Sequence, residues 1–304
     1  MYVDSAKCSA TILVVAGSST ITAGIHLPQA GPASSGVAIQ RAAHLAEELG
    51  YADVWVSDHL AVPTGASYPP SPWIYEPLVT LTWAAAATSR VGLGTTVLVL
   101  PMRHPLVTAK SVASIDRLSN GRMILGLAAG WLEAEFEALG VPFAERGPRT
   151  DEGVAMLRRL WTDDHITVDF PIHSSSYTSM RALPQPDRHL PIWIGGHAKV
   201  ALDRAVRVGD GWHGAFLSPA QTAWRVEYLR RSRPEPEFPI SMRTRWDALT
   251  DDFDTILGEL DDYIAAGVTH VVPEPRQRNM DDYLRSIEAL AGLMARAGVT
   301  FEES

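Results

Sequence analysis

The chain reads as a (β/α)8 barrel, on three observations. Strand-like and helix-like runs alternate eight times from Thr22 onward. The strand runs are apolar on both faces, the pattern of a parallel sheet covered by helices. Polar or Gly-rich residues cluster where those runs end, and in a barrel the C-terminal strand ends converge on one mouth that carries the site. An open doubly wound sheet is the competing architecture, and Gly92-Leu93-Gly94 points weakly towards it. That fragment lies inside a strand rather than after one, so it does not make a dinucleotide fingerprint.

The first strand, Thr22–Leu27, leads into a helix over Val37–Leu49, which carries Ile39, Ala42, Ala46 and Leu49 on one face and stops at Gly50. A second strand, Asp53–Ser57, ends in Asp58 and His59, and a Pro- and Gly-rich loop, Ala61–Trp73, follows. Helix Glu76–Ala87 precedes a third, nearly all-apolar strand, Val91–Leu100. Helix Pro105–Leu118 has Pro in its first turn and stops at Asn120–Gly121. The fourth strand, Met123–Leu127, is followed by helical runs at Leu132–Leu139 and Thr150–Leu160, the latter with Thr150 or Asp151 as cap.

Residues Thr162–Leu190 break the alternation and read as an insertion between strands four and five, with room for short strands. A segment of this length inside a compact domain is expected to be functional, for example as a lid. Strands Ile192–Ile194, Gly211–Phe216, Ile240–Trp246 and Thr269–Val272 complete the set. They alternate with helices Ala198–Val208, Pro219–Arg231, Phe253–Ala266 and Met280–Ala297.

Composition narrows the class. The chain is 46% hydrophobic and 20% charged over 304 residues, as in a globular enzyme. Its net charge of −9 comes without a basic face, which argues against nucleic acid as a partner. The single cysteine, Cys8, allows neither an intrachain disulfide nor a thiolate metal cage and fits a reducing, cytoplasmic compartment. No apolar run is long enough to span a bilayer, so no membrane role is expected. Thr11–Gly17 is a short apolar run, but Asp4 precedes it and no small-residue cleavage motif follows. Residues 1–20 are therefore read as a flexible N-terminal extension, and 21–304 as a single barrel domain.

Polar residues at the strand ends are the candidates for chemistry. His26 and Gln29 follow strand one, Asp58 and His59 strand two, and Thr95 and Thr96 lie in strand three. Arg243 and Arg245 flank strand seven, and Glu274 follows strand eight. Histidine titrates near neutrality, so His59 can hold or release a proton beside a cofactor. A capping aspartate and a packed histidine would explain the same pair without chemistry. Arg243 suits an anionic substrate group, although it can equally pair with a nearby acid. Trp131 and Trp73 sit next to site loops and are candidate pocket walls. Gly195–Gly196–His197–Ala198 forms a turn at a helix N-terminus, where exposed amides and the helix dipole suit a phosphate. No metal-ligand pattern, nucleophile elbow or Walker A loop is present.

Taken in order, Asp116–Trp131 (DRLSNGRMILGLAAGW), Glu135, Gly140, Arg146 and Asp151–Glu152, then PIWIGG, a helix and GDGW, resemble the signature of the luciferase-like monooxygenase superfamily. The resemblance spans Thr22–Ala297. It implies a (β/α)8 barrel, a homodimer, and a flavin or the deazaflavin coenzyme F420 at the C-terminal mouth. Ser57–Asp58–His59 and LGTTVL are similar to the F420-dependent branch. The resemblance then gives Asp58 a contact to the deazaflavin head and His59 a catalytic role. It also implies a non-prolyl cis peptide at Thr96–Val97, Ala129 and Gly130 facing the cofactor, and Gly195–Ala198 on its phosphate. The F420-dependent sugar-phosphate dehydrogenases have an acidic residue where Trp131 stands and a Trp where Pro63 stands, so a less polar small-molecule substrate is expected here. The implied activity is hydride transfer between F420 and a small organic substrate. The alternatives are an FMN-dependent monooxygenase using reduced flavin and oxygen, and a non-catalytic flavin-binding relative.

Overall fold

A computed structural model describes residues 21–301. The 1–20 extension and Cys8 lie outside the described residues. Eight strand positions close into a parallel barrel. They are β1 (Thr22–His26), β2 (Asp53–Val56), the pair β3 (Gly92–Thr95) and β4 (Leu98–Val99) as one interrupted position, β5 (Met123–Ala128), β8 (Ile192–Gly195), β9 (Gly211–Ala215), β10 (Ile240–Thr244) and β11 (His270–Pro273). β1 pairs with both β2 and β11, which closes the cylinder. Nine α-helices surround it among the described residues: α1 (Gly36–Glu48), α2 (Pro77–Ala85), α3 (Pro105–Leu118), α4 (Glu133–Ala138), α5 (Arg146–Thr162), α6 (Lys199–Val208), α7 (Pro219–Ser232), α8 (Phe253–Ala265) and α9 (Met280–Arg296). None of the described helices is long and apolar enough to cross a membrane.

The apolar strand faces and helix stripes form one large core. Ile25, Val54, Leu93, Leu125, Ile194 and Ile240 are buried within it. Several helices begin on side chains of the expected kind: Ser35 caps α1, Asp252 caps α8, and Ser218 with Gln221 makes a reciprocal capping box on α7.

Inside the cylinder the filling is aromatic. Trp55 of β2 is fully buried and lies over His213 at 4.9 Å with the rings nearly parallel, and Trp193 packs beside it at 5.2 Å. Glycines on neighbouring strands make the room. A Cβ at Gly94 would lie 2.4 Å from the Trp55 ring, and one at Gly24 would lie 2.6 Å from its indole nitrogen. The Gly-x-Gly of strand three therefore serves interior packing, which removes the weak argument for a dinucleotide-binding sheet.

Three segments depart from expectation. The third strand is not continuous over 91–100. It breaks after Thr95, resumes at Leu98 and enters a 3-10 turn at Leu100–Met102. Helix α5 starts at Arg146, ahead of Thr150, whose hydroxyl bonds back to the Arg146 carbonyl instead of capping. The insertion is a two-stranded antiparallel hairpin, β6 (Ile166–Phe170) and β7 (Ser175–Met180). It buries Ile166, Phe170 and Tyr177. Glu152 of α5 also ties it down, accepting from the amides of Ile172 and His173 and contacting His173 Nδ1 at 2.6 Å. Residues 162–190 contribute to neither cavity at the barrel mouth, so the lid reading is corrected.

Removing the central ring tests this packing. Trp55→Ala is expected to cost about 3–5 kcal/mol, the range for deleting a buried aromatic. Chemical denaturation followed by far-UV circular dichroism measures it.

Candidate active site

Two cavities share one wall at the C-terminal mouth. The first, of about 560 Å³, is bounded by the ends of β2, β4, β5, β8 and β9. The second, of about 580 Å³, lies between the ends of β1, β10 and β11 and the loop carrying Tyr68, Pro69 and Pro70. Ser57, His59, Tyr68, Arg243 and Arg245 line both. Both volumes suit small-molecule or cofactor sites.

Most of the candidate residues reach the first cavity, while His26 and Glu274 line the second and Gln29 and Thr95 line neither. Asp58 and His59 come from the end of β2, and Thr96 and Val97 from the interruption of strand three. Ala129, Gly130 and Trp131 follow β5, and Gly195, Gly196, His197 and Ala198 run from β8 into α6. Arg243 comes from β10. Trp73, a candidate pocket wall, stands 62% exposed against Tyr75 and lines neither cavity. Proximity to a site loop did not decide which way its ring points.

The Thr96–Val97 peptide is cis, as the family resemblance implies. Hydrogen bonds on both sides fix the segment. Thr96 N donates to the Val56 carbonyl, and Val99 N donates to Asp58 Oδ2 at 2.9 Å. Asp58 also receives Arg103 Nε at 3.2 Å, and its Oδ1 lies 2.6 Å from the same guanidinium. Burial pushes the Asp58 carboxyl upward, and Arg103 and the Val99 amide oppose that. With these partners Asp58 straps β4 to the end of β2.

His59 is 8% exposed, and its Nδ1 lies 3.0 Å from Glu135 Oε2. The other carboxylate oxygen of Glu135 accepts from the amides of Leu60 and Ala61. Burial raises the Glu135 carboxyl, but the His59 bond and the two amides outweigh it and hold it below the usual glutamate range. A charged carboxylate on Nδ1 orients the ring and fixes the Nδ1–H tautomer. Among the described residues Nε2 makes no hydrogen bond, and Tyr68 and Trp131 flank the ring edge-on at 6.0 Å each.

Behind the cavity runs a buried chain of hydrogen bonds. Thr96 Oγ1 meets His213 Nε2 at 2.7 Å, and His213 Nδ1 meets Ser241 Oγ at 2.8 Å. Ser241 Oγ meets His270 Nδ1 at 2.8 Å, and His270 Nε2 meets Asp53 Oδ1 at 3.0 Å. Trp55 Nε1 donates to the same Asp53 oxygen. A carboxylate at Asp53 only accepts, so with both rings neutral the chain has one direction: His270 donates from Nε2, Ser241 donates to His270, His213 donates from Nδ1, and Thr96 donates to His213. The lone pairs of Thr96 Oγ1 are then what the hydroxyl offers to a ligand. Burial above all, with the nearby charge of Arg243 adding to it, holds His213 well below the usual histidine range, which keeps the ring neutral as the chain requires.

The α6 end of the cavity suits an anion. No side chain caps this helix, and Gly196 adopts φ +122°, where an added Cβ would strike Ala201 at 2.7 Å. Gly195 approaches Val97 so closely that a Cβ would lie 2.8 Å from it. Arg146 lines the same cavity with its guanidinium 3.9 Å over Phe143. Among the described residues no His, Cys, Asp and Glu cluster is arranged to hold a metal ion.

Tyr68, Glu135 and His213 are among the residues of this site that the sequence does not single out. Glu135 was visible as a motif member, but its partner is 76 positions away. His213 directly follows GDGW inside an apolar strand, and every one of its partners comes from another strand.

A family model described as luciferase-like monooxygenase matches residues 19–298, and the chain belongs to that family. An uncharacterized protein of Mycobacterium tuberculosis is 32% identical over 207 residues, covering 64% of this chain and 70% of that protein. An F420-dependent glucose-6-phosphate dehydrogenase of Beutenbergia cavernae is 37% identical over 176 residues, or 55% of this chain and about half (49%) of that enzyme. Among solved structures, a monooxygenase from Streptomyces bottropensis superposes with a TM-score of 0.75 at 22% identity, covering 91% of this chain and 99% of that one. An F420-dependent secondary alcohol dehydrogenase, solved with an F420–acetone adduct, gives 0.73 at 17% identity over 89% of this chain and 99% of its own. At these identities the structural likeness speaks to the fold.

The direction of the buried chain is directly measurable. Two-bond 15N–1H correlation spectra are expected to show His213 as the Nδ1–H tautomer and His270 as the Nε2–H tautomer. Asp53→Asn is expected to remove that opposition.

Proposed function

We propose that this chain is an F420-dependent oxidoreductase that moves a hydride between the deazaflavin and a small organic substrate. The observation that carries the reading is the shared wall. One cavity has the glycine-rich turns and uncapped helix end that suit a cofactor with a planar ring and a phosphate. The other is open beside it, and the His59–Glu135 pair stands between them. The likeness to relatives named F420-dependent favours the deazaflavin over FMN.

The residues present fit such a group. Val97, Ala129 and Gly130 would face the ring, Thr96 Oγ1 would accept from it, and the amides entering α6 with Arg146 would hold the phosphate. When bound, the deazaflavin supplies a site that takes up or returns a hydride. Each transfer leaves one proton to be taken from the substrate or given to it. His59 is the group that would hold that proton at Nε2, and Glu135 stabilises the ring when it does. Trp131 and Tyr68 flank the His59 ring at this junction. The substrate is left as a small organic molecule. The match to the glucose-6-phosphate dehydrogenases covers only half of those enzymes.

Absorbance and fluorescence titrations with F420 and with FMN test the cofactor. Saturable F420 binding is expected. Binding of FMN alone, with oxygen consumption by the reduced flavin, would move the protein to the monooxygenase reading. His59→Ala is expected to lower kcat about 10²–10⁴-fold, the usual scale for general acid–base catalysis, with F420 affinity kept. Unchanged turnover would remove the proposed role.

A further inference from the structure

We infer that the second cavity takes a substrate carrying an oxyanion, a carboxylate or a phosphate monoester, and that Arg245 pairs with it. This deepens the reading of the neighbouring cavity as the cofactor site and rests on it. The wall of the second cavity carries four guanidinium groups, Arg243, Arg245, Arg276 and Arg278, against one carboxylate, Glu274. Three of the four are matched by acids of the protein itself. Arg243 is buried, lies 2.8 Å from Glu274 and donates to the Thr96 carbonyl. Arg278 lies 2.5 Å from buried Asp247, and Arg276 lies 3.9 Å from Asp251.

Arg245 differs from these three. Among the described residues it makes neither an ion pair nor a hydrogen bond. Its guanidinium instead rests 4.2 Å from the centre of the Phe216 ring, with Tyr68 at 6.0 Å. Phe216 is itself fixed, with φ +58° and its amide donating to the Arg243 carbonyl. A guanidinium lying on an aromatic face is oriented without being neutralised. Its in-plane N–H groups remain available to a carboxylate or a phosphate, either of which can take them two at a time.

A second observation sits at the inner end of the same cavity. His26 is 1% exposed and bonds to Ser57 Oγ through Nε2 at 2.8 Å, while its Nδ1 is buried with no hydrogen-bond partner. A buried polar atom without a partner is uncommon and calls for one. Burial and the nearby Arg243 hold His26 at about 3, so the ring is neutral and adds no charge to the cavity wall. His59, which lines both cavities, gives a polar end for the reacting hydroxyl or carbonyl group. Arg245 supplies the charged end. The ligand class is therefore a hydroxy or oxo compound bearing a carboxylate or phosphate.

The test uses benzoate, phenyl phosphate and neutral benzamide, titrated calorimetrically into the full chain and into Arg245→Ala and Arg245→Lys. At least one anion is expected to bind the wild type tenfold or more tightly than benzamide, and the better anion identifies the oxyanion. Arg245→Ala is expected to lose at least tenfold for that anion and nothing for benzamide, and Arg245→Lys to recover part of the loss. Anions no tighter than benzamide, or unaffected by Arg245→Ala, would overturn the proposal. F420 titrated into the same variants separates the two readings. If Arg245→Ala weakens F420 and spares the anions, the arginine serves the cofactor and the proposal fails. If the wild type takes the anions but not F420, the cofactor reading fails while the anion site stands.

Discussion

The break in the third barrel strand is held by three linked contacts, and the site depends on them. Thr96 is tied inward to His213 by its hydroxyl, Val99 is tied sideways to Asp58 by its amide, and Arg103 locks Asp58 in place. Each of these groups is buried or nearly so, so losing a partner would leave a polar atom with no water to turn to. The result is a short length of backbone that leaves the sheet ladder at the barrel mouth. There it forms one wall of a cavity, next to the Gly195–Gly196 turn that lines it too.

The same economy appears deeper in the barrel. Trp55 and Trp193 occupy space that glycines on adjacent strands leave open, and His213 and His270 fill the rest. Two histidines in an otherwise apolar interior need partners, and they obtain them from Ser241, Thr96 and Asp53. Core packing and site orientation are therefore carried by one set of residues. A change at Asp53, near the entrance of β2, reaches the hydroxyl at the far end of the chain through hydrogen bonds alone.

Much of the fold was legible because its strands are buried on both faces and therefore read as continuous apolar runs. That same uniformity hid the interruption at Thr96–Val97, since Val97–Leu100 stays apolar through the break. The hairpin at 166–180 was read as an excursion because its Ser-rich turn masked the alternation of Ile166, Val168 and Phe170. For the site, residues at strand ends were found because the barrel brings such ends together. Glu135 lies on a helix and Tyr68 on a long loop, where sequence position says nothing about which mouth a side chain reaches. Trp73 shows the converse, since the right loop carried a ring that faces away.

A crystal structure of the protein soaked with F420 tests the central claim most directly. The account predicts the tricyclic ring lying against Thr96–Val97, with Thr96 Oγ1 as an acceptor, and the phosphate on the amides that open α6. Density for the ring in the second cavity, or a phosphate bound away from Gly195–Ala198, would contradict it.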